Sequence, residues 1–192
     1  MKYIFYILIF IAIASCTKFR DLPSNSKVII APDTLSYGSL LINEYTPKSK
    51  VDTNEFGILG KWFELYNPGT KNIEIDTNFY FTDTLAWPDK FHVTKTDIKQ
   101  IVPAKGFLVV WSDNCDTING GKLIHTNFSL NSAGGGIGIY IKNAQRNFVA
   151  IDTLNYPDYS LLPKGTPIGR FPDGTVGFKQ LSLRTPGAKN QL

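Results

Sequence analysis

From Gly38 onward the apolar residues of this chain recur at every second position, and that period decides the fold class before any motif is considered. A helix buries one face with a period of 3.6 residues; a strand does so with a period of 2. "KWFELYN" sets Trp62, Glu64 and Tyr66 against Phe63 and Leu65, and "KGFLVVW" alternates Phe107, Val109 and Trp111 with Leu108 and Val110. "SLLINEY" places Leu40 and Ile42 on one face and Leu41 and Tyr45 on the other, and "GIGIYIKN" and "NFVAIDTL" continue the alternation. Between these runs stand turn formers: Asn67-Pro68-Gly69, Pro103-Ala104-Lys105-Gly106, Asn119-Gly120-Gly121, Pro163-Lys164-Gly165 and Pro172-Asp173-Gly174. No window of a dozen residues forms an amphipathic helix. Many short strands with closely spaced turns, and 13% aromatic residues to fill a core, predict an all-β sandwich or barrel.

The glycine-rich stretch "NSAGGGIGIY", residues 131–140, invites comparison with a phosphate-binding loop. Such a loop works because backbone N–H groups converge at a helix N-terminus. Here the residues after Gly138 are Ile139-Tyr140-Ile141-Lys142, a strand pattern, and Ile141 stands where a dinucleotide fingerprint needs its third glycine. Glycines 134–136 are therefore expected to form a turn or bulge leading into a strand.

The N-terminus reads "MKYIFYILIFIAIASC": one lysine, an apolar run, then small residues before a cysteine. That is the layout of a signal peptide, over residues 1–15, and it is too short to span a bilayer permanently. Its end, Ile13-Ala14-Ser15-Cys16, resembles the bacterial lipobox, which implies lipid attachment at Cys16. Multiple acyl chains anchor durably where one holds only marginally. Thr17 follows Cys16, so the aspartate that retains many lipoproteins at the inner membrane is absent, which favours the outer membrane. The expected location is the bacterial cell envelope, periplasmic or surface-exposed.

Residues 16–37 are mostly polar around Pro23-Ser24-Asn25-Ser26, with an apolar island at Val28-Ile29-Ile30, and are expected to serve as a tether with one added edge strand. Residues 38–192 make one domain. Loss of Lys2 takes Lys plus Arg from 20 to 19 against 16 acidic residues, a net charge of about +3 that does not call for nucleic acid. With Cys16 acylated, Cys115 has no disulfide partner in the chain, and it is expected to be a loop residue rather than a nucleophile.

The ordered series "LLINEY", "GKWFELYNPGTKNIEI", "FYFTD", "IVPAKGFLVVWSD", "KLIHTNFSLNSAGGGIGIY", "AIDTLNYP", "IGRFPDGT" and "RTPGAKN" resembles the lamin-tail domain family as found in bacterial secreted proteins and lipoproteins. The likeness runs from about Gly38 to Asn190 and implies an immunoglobulin-like β-sandwich of lamin-tail type, with short strands and extended loops. Within its motifs Glu64, Asn67, His125 and Asn127 are expected to be structural. Two segments are longer than the family needs, from Leu85 to Gln100 and at "PDYSLLPKGTP", and sandwiches carry ligand specificity in such loops.

Catalytic groups are scarce. A hydrolytic triad needs a base, and only His92 and His125 exist. Glu44 and Glu64 lie in apolar strands where burial would raise their pKa, which leaves an envelope hydrolase, or an accessory subunit of one, as the alternative to a non-enzymatic module. No Cys-x-x-Cys, His-Glu-x-x-His or EF-hand pattern occurs, so neither a cofactor nor a metal is expected, although residues 52–55 and Asp113 with Asp116 are acidic enough for a structural calcium ion. Basic residues are dispersed rather than striped, which argues against nucleic-acid binding. Asp-Thr-aliphatic tripeptides recur at Thr34, Thr84, Thr117 and Thr153 and resemble an O-glycosylation acceptor of exported bacterial proteins, although Asp-Thr is also turn chemistry. The expected role is thus a non-catalytic lipoprotein that presents its sandwich to a protein or glycan, with Trp87, Phe91 and His92 as the candidate binding surface.

Overall fold

A computed structural model describes residues 39–48, 51–94, 100–115 and 123–192. In chain order its strands are β1 (Leu41–Tyr45), β2 (Asp52–Thr53), β3 (Leu59–Gly60), β4 (Trp62–Tyr66), β5 (Ile73–Ile75), β6 (Phe79–Thr82) and β7 (Phe91–His92). They are followed by β8 (Gln100–Val102), β9 (Phe107–Trp111), β10 (Ile124–His125), β11 (Gly135–Lys142), β12 (Phe148–Tyr156), β13 (Ile168–Gly169) and β14 (Lys179–Gln180). No helix occurs among the described residues, as the period of 2 requires.

Two sheets face each other. One has the order β10-β9-β4-β1-β13-β14 and the other β12-β11-β6-β7. The pairs β2-β3 and β5-β8 form small ribbons. Alternation supplies the core: Phe63 and Leu65 from β4, Leu108 and Val110 from β9, and Ile137, Ile139 and Ile141 from β11 all join one buried cluster. Phe63 meets Phe81 across the sandwich edge to face, with ring centroids 5.9 Å apart.

The period is broken by an extra residue at Ile151 in β12 and at Asn43 in β1, and the break in β1 shapes the polar site. Ile42 pairs with Leu65 and Glu44 with Glu64, so Asn43 is bulged out of the β1-β4 ladder. Tyr45, expected opposite Ile42, therefore lies in the same core as Leu40 and Ile42, because the extra residue restores its side chain to the inner face.

The glycine stretch behaves as its strand pattern requires. Gly134 has φ of +104°, β11 begins at Gly135, and a Cβ on Gly136 would stand 2.9 Å from Leu85 Cγ. Gly136 admits the close approach of Leu85.

Candidate functional site

The outer face of the six-stranded sheet is where the buried polar groups gather. Glu44 and Glu64 are cross-strand partners, and both are fully buried. The C-terminal segment lies over them. Thr185 donates its N–H to the Glu44 carboxylate at 3.2 Å and its hydroxyl at 2.7 Å, and Gly187 N–H donates to Glu64 Oε2 at 2.6 Å. Bulged Asn43 adds its Nδ2 to Glu64 at 3.3 Å and to Asp173 at 3.0 Å. Desolvation pushes Glu44 to about 7 and Glu64 to about 8 against the pull of these donors. The expectation of burial holds. Fully buried and engaged by Thr185 and Gly187, the pair performs the work of a clamp on residues 185–190.

A second buried group forms where β9 and β10 run parallel. His125 Nδ1 lies 2.7 Å from Asp113 Oδ2, and Asn54 Nδ2 donates to the same oxygen at 3.0 Å. Burial disfavours the imidazolium, but the Asp113 and Glu55 carboxylates outweigh it and hold the His125 pKa above its ordinary value. Burial likewise acts to raise Asp113, and the hydrogen bonds from His125 and Asn54 overcome it, leaving Asp113 below the usual carboxylate range. His125 Nε2 is 3.2 Å from Glu55 Oε2 yet lies outside hydrogen-bonding geometry, so Asp113 is the partner that orients the ring.

Sequence order hid one neighbour. Cys115 comes to this histidine through the fold, its sulfur lying within 4.8 Å of ligand atoms of Asp113 and His125. The trio mixes sulfur, nitrogen and oxygen donors, as a zinc site does. Two ligands of one tetrahedral zinc stand about 3.3 Å apart, however, and the 2.7 Å Asp113–His125 contact is a hydrogen bond instead. Asp113 Oδ1 is also taken, by the Cys115 N–H at 3.3 Å. These residues fit a structural lock better than a metal centre.

The remaining motif residues are placed as joints. Asn67, fully buried, donates Nδ2 to the carbonyls of Lys71 and Val102 and accepts the Gly69 N–H, closing the turn after β4. Asn127 is exposed and donates to the Lys90 carbonyl at 2.8 Å, which ties the β6-β7 loop to the segment after β10.

The predicted binding surface divides. Trp87 is 55% exposed on the β6-β7 loop, with the Lys90 ammonium 5.9 Å from its ring centroid, and Lys90 pairs with Asp83 at 2.5 Å. His92 is also exposed. Phe91, expected beside them, is 4% exposed: adjacent strand residues point to opposite faces, and Phe91 is the one that turns inward onto Phe81. Next to Trp87 in the chain, Asp83, Thr84 and Leu85 line a cavity of about 540 Å³. Asn131, Asn155, Tyr156 and the Gly134 to Gly136 backbone complete its wall. The Tyr156 oxygen accepts the Asn131 N–H at 3.1 Å, which leaves its proton to donate.

Thr84 and Thr153 are exposed, and the Thr84 hydroxyl donates to Asp83. Thr34, Thr117, Cys16, Asp116 and the Val28-Ile29-Ile30 island lie outside the described residues. Among the described residues no helix is long and apolar enough to cross a membrane.

Two facing sheets joined by a bulged strand and a clamped C-terminal segment define an immunoglobulin-like β-sandwich. Its sequence matches the pattern of the Lamin Tail Domain over residues 34–158, and the chain belongs to that family. Strand β13 lies beyond the match yet pairs with β1, so residues after 158 complete the sandwich. Comparison with curated proteins and with solved structures gives no match.

Proposed function

We infer that this protein is a non-catalytic module of the bacterial envelope, anchored through Cys16 and presenting the β6-β7 end of its sandwich to a glycan. The observation that carries this reading is the cavity lined by Asp83, Thr84 and Leu85, on the same loop that carries the exposed Trp87. Sugars offer hydroxyls that both donate and accept, together with flat C–H faces. Asp83, Asn131, Asn155 and Tyr156 supply matching polar groups, and an exposed indole supplies a flat partner. The buried acids support the non-catalytic half: Glu44 and Glu64 are engaged by the protein's own backbone.

Trp87→Ala tests the reading. An exposed side chain contributes little to the core, so the variant is expected to lose about 0.5 kcal/mol of stability or less while losing glycan binding at least tenfold. Marked destabilisation with binding intact would make Trp87 a packing residue and end the idea.

The anchor and the Asp-Thr tripeptides share one measurement, the intact mass of the natively expressed protein. The expected mass lacks residues 1–15 and carries acyl chains, with sugar increments at exposed threonines such as Thr84 and Thr153. A mass equal to the full unmodified chain would overturn both proposals.

A further inference from the structure

The far end of the four-stranded sheet carries a different chemistry. β11 starts beside Trp87's loop and ends at Lys142, where the hairpin turn to β12 meets the residues that precede β6. A cleft of about 350 Å³ lies there, and Tyr80, His92, Lys142, Asn143 and Arg146 are among its lining residues. Among the described residues no carboxylate lines it.

Three features show that the cleft is held in one shape. Tyr80 and His92 stack with centroids 4.3 Å apart and planes 6° from parallel. His92 Nε2 lies 2.7 Å from the Thr77 carbonyl oxygen, which can only accept, so that nitrogen carries a proton and the ring is fixed. The Lys142 ammonium sits 5.0 Å from the Tyr80 centroid and 4.6 Å from that of Phe148. Neither Lys142 nor Arg146 makes an ion pair among the described residues, whereas Lys90, Arg170 and Arg184 all do.

The turn itself is the strongest indication. Asn143 accepts the Arg146 N–H on its carbonyl at 2.8 Å and donates to Asn147, and its Oδ1 takes the N–H groups of Gln145 and Asn147 at 3.1 and 2.9 Å. This rigid loop holds Arg146 at φ of +62°, the left-handed position that such hairpins normally give to glycine. An arginine there forgoes stability and places a second cation beside Lys142. Strain of this kind concentrates where a side chain is needed.

We propose that this cleft binds an acidic saccharide through its carboxylate: Arg146 and Lys142 take the oxyanion, and the exposed His92 ring, backed by Tyr80, receives the flat face of the sugar. The site is separate from the cavity lined by Asp83, Thr84 and Leu85 and does not depend on it.

The test is calorimetric titration of the detergent-solubilised full-length protein with a galacturonic acid trisaccharide, a neutral glucose trisaccharide and inorganic phosphate. The uronate is expected to bind, to weaken with added salt, and to exceed the neutral sugar at least tenfold. Lys142→Gln and Arg146→Gly should each weaken it tenfold or more. Arg146→Gly should also leave the melting temperature unchanged or higher, because glycine adopts the turn freely. Absence of uronate binding, equal binding of the neutral sugar, or indifference to both substitutions would overturn the proposal. Phosphate binding as tight as the uronate would overturn the saccharide assignment, since a bare anion would then suffice.

Discussion

Arg170→Ala is expected to destabilise the fold by about 3–5 kcal/mol, measured by urea unfolding. The guanidinium is almost fully buried. Its Nε donates to the Ile42 carbonyl at 2.7 Å, Nη1 to that of Thr175 at 2.8 Å, and Nη2 to Asp152 Oδ2 at 3.1 Å. Asp152 Oδ2 also accepts the Ile42 N–H at 2.9 Å, so one ion pair fastens β12 of the second sheet to the bulged strand of the first. Truncation leaves a carboxylate and two carbonyls short of their donors, and it removes the cation lying 4.5 Å from the Phe178 ring centroid. Lysine keeps the charge but not the fork, so Arg170→Lys should recover only part of the loss. A loss below about 1 kcal/mol for the alanine variant would mean that water replaces the guanidinium and that the two sheets are not joined there.

Stability should also fall as pH rises from 5 to 9, by several kcal/mol. Glu44 and Glu64 have folded pKa values raised from 4.5 to about 7 and about 8. Between 4.5 and those values the folded state holds protons that the unfolded chain releases. Their contribution is therefore complete below pH 4.5 and is lost as pH climbs through 7 and 8. His125 acts in the same direction: its raised pKa makes its contribution complete below 6.5 and lost above its folded value. Asp113 acts oppositely, its contribution being present above 3.8 and lost as acid protonates it, so these groups place the stability maximum between 3.8 and 4.5. Glu64→Gln should keep the Gly187 contact through its amide oxygen and remove roughly half of the alkaline decline. A flat profile in the unsubstituted protein, or an unchanged slope in Glu64→Gln, would refute this account of the clamp.

Much of this architecture could be read from residue order. Alternation places Phe63, Leu65, Leu108, Val110 and the isoleucines of β11 inward, because a strand's side-chain period is fixed by covalent geometry. It also predicts that Glu64 is buried, since Glu64 shares a strand with Trp62. The site was less legible. Trp87 and His92 are exposed as expected, but Phe91 turns into the core, and in a two-residue strand the sequence holds too few positions to show which face is inner.

What the sequence determines here is whatever depends on neighbours along the chain: strand period, turn chemistry, the loop that carries Trp87, and the glycines that enter β11. What only the tertiary structure decides is which distant groups meet. The bulge at Asn43, the clamp of residues 185–190 on Glu44 and Glu64, the approach of Cys115 to His125, and the cations of the β11-β12 turn beside the Tyr80–His92 stack have no local signature. The buried ones among them arise because a polar group removed from water must find a partner, and the nearest one lies across the fold, not along the chain.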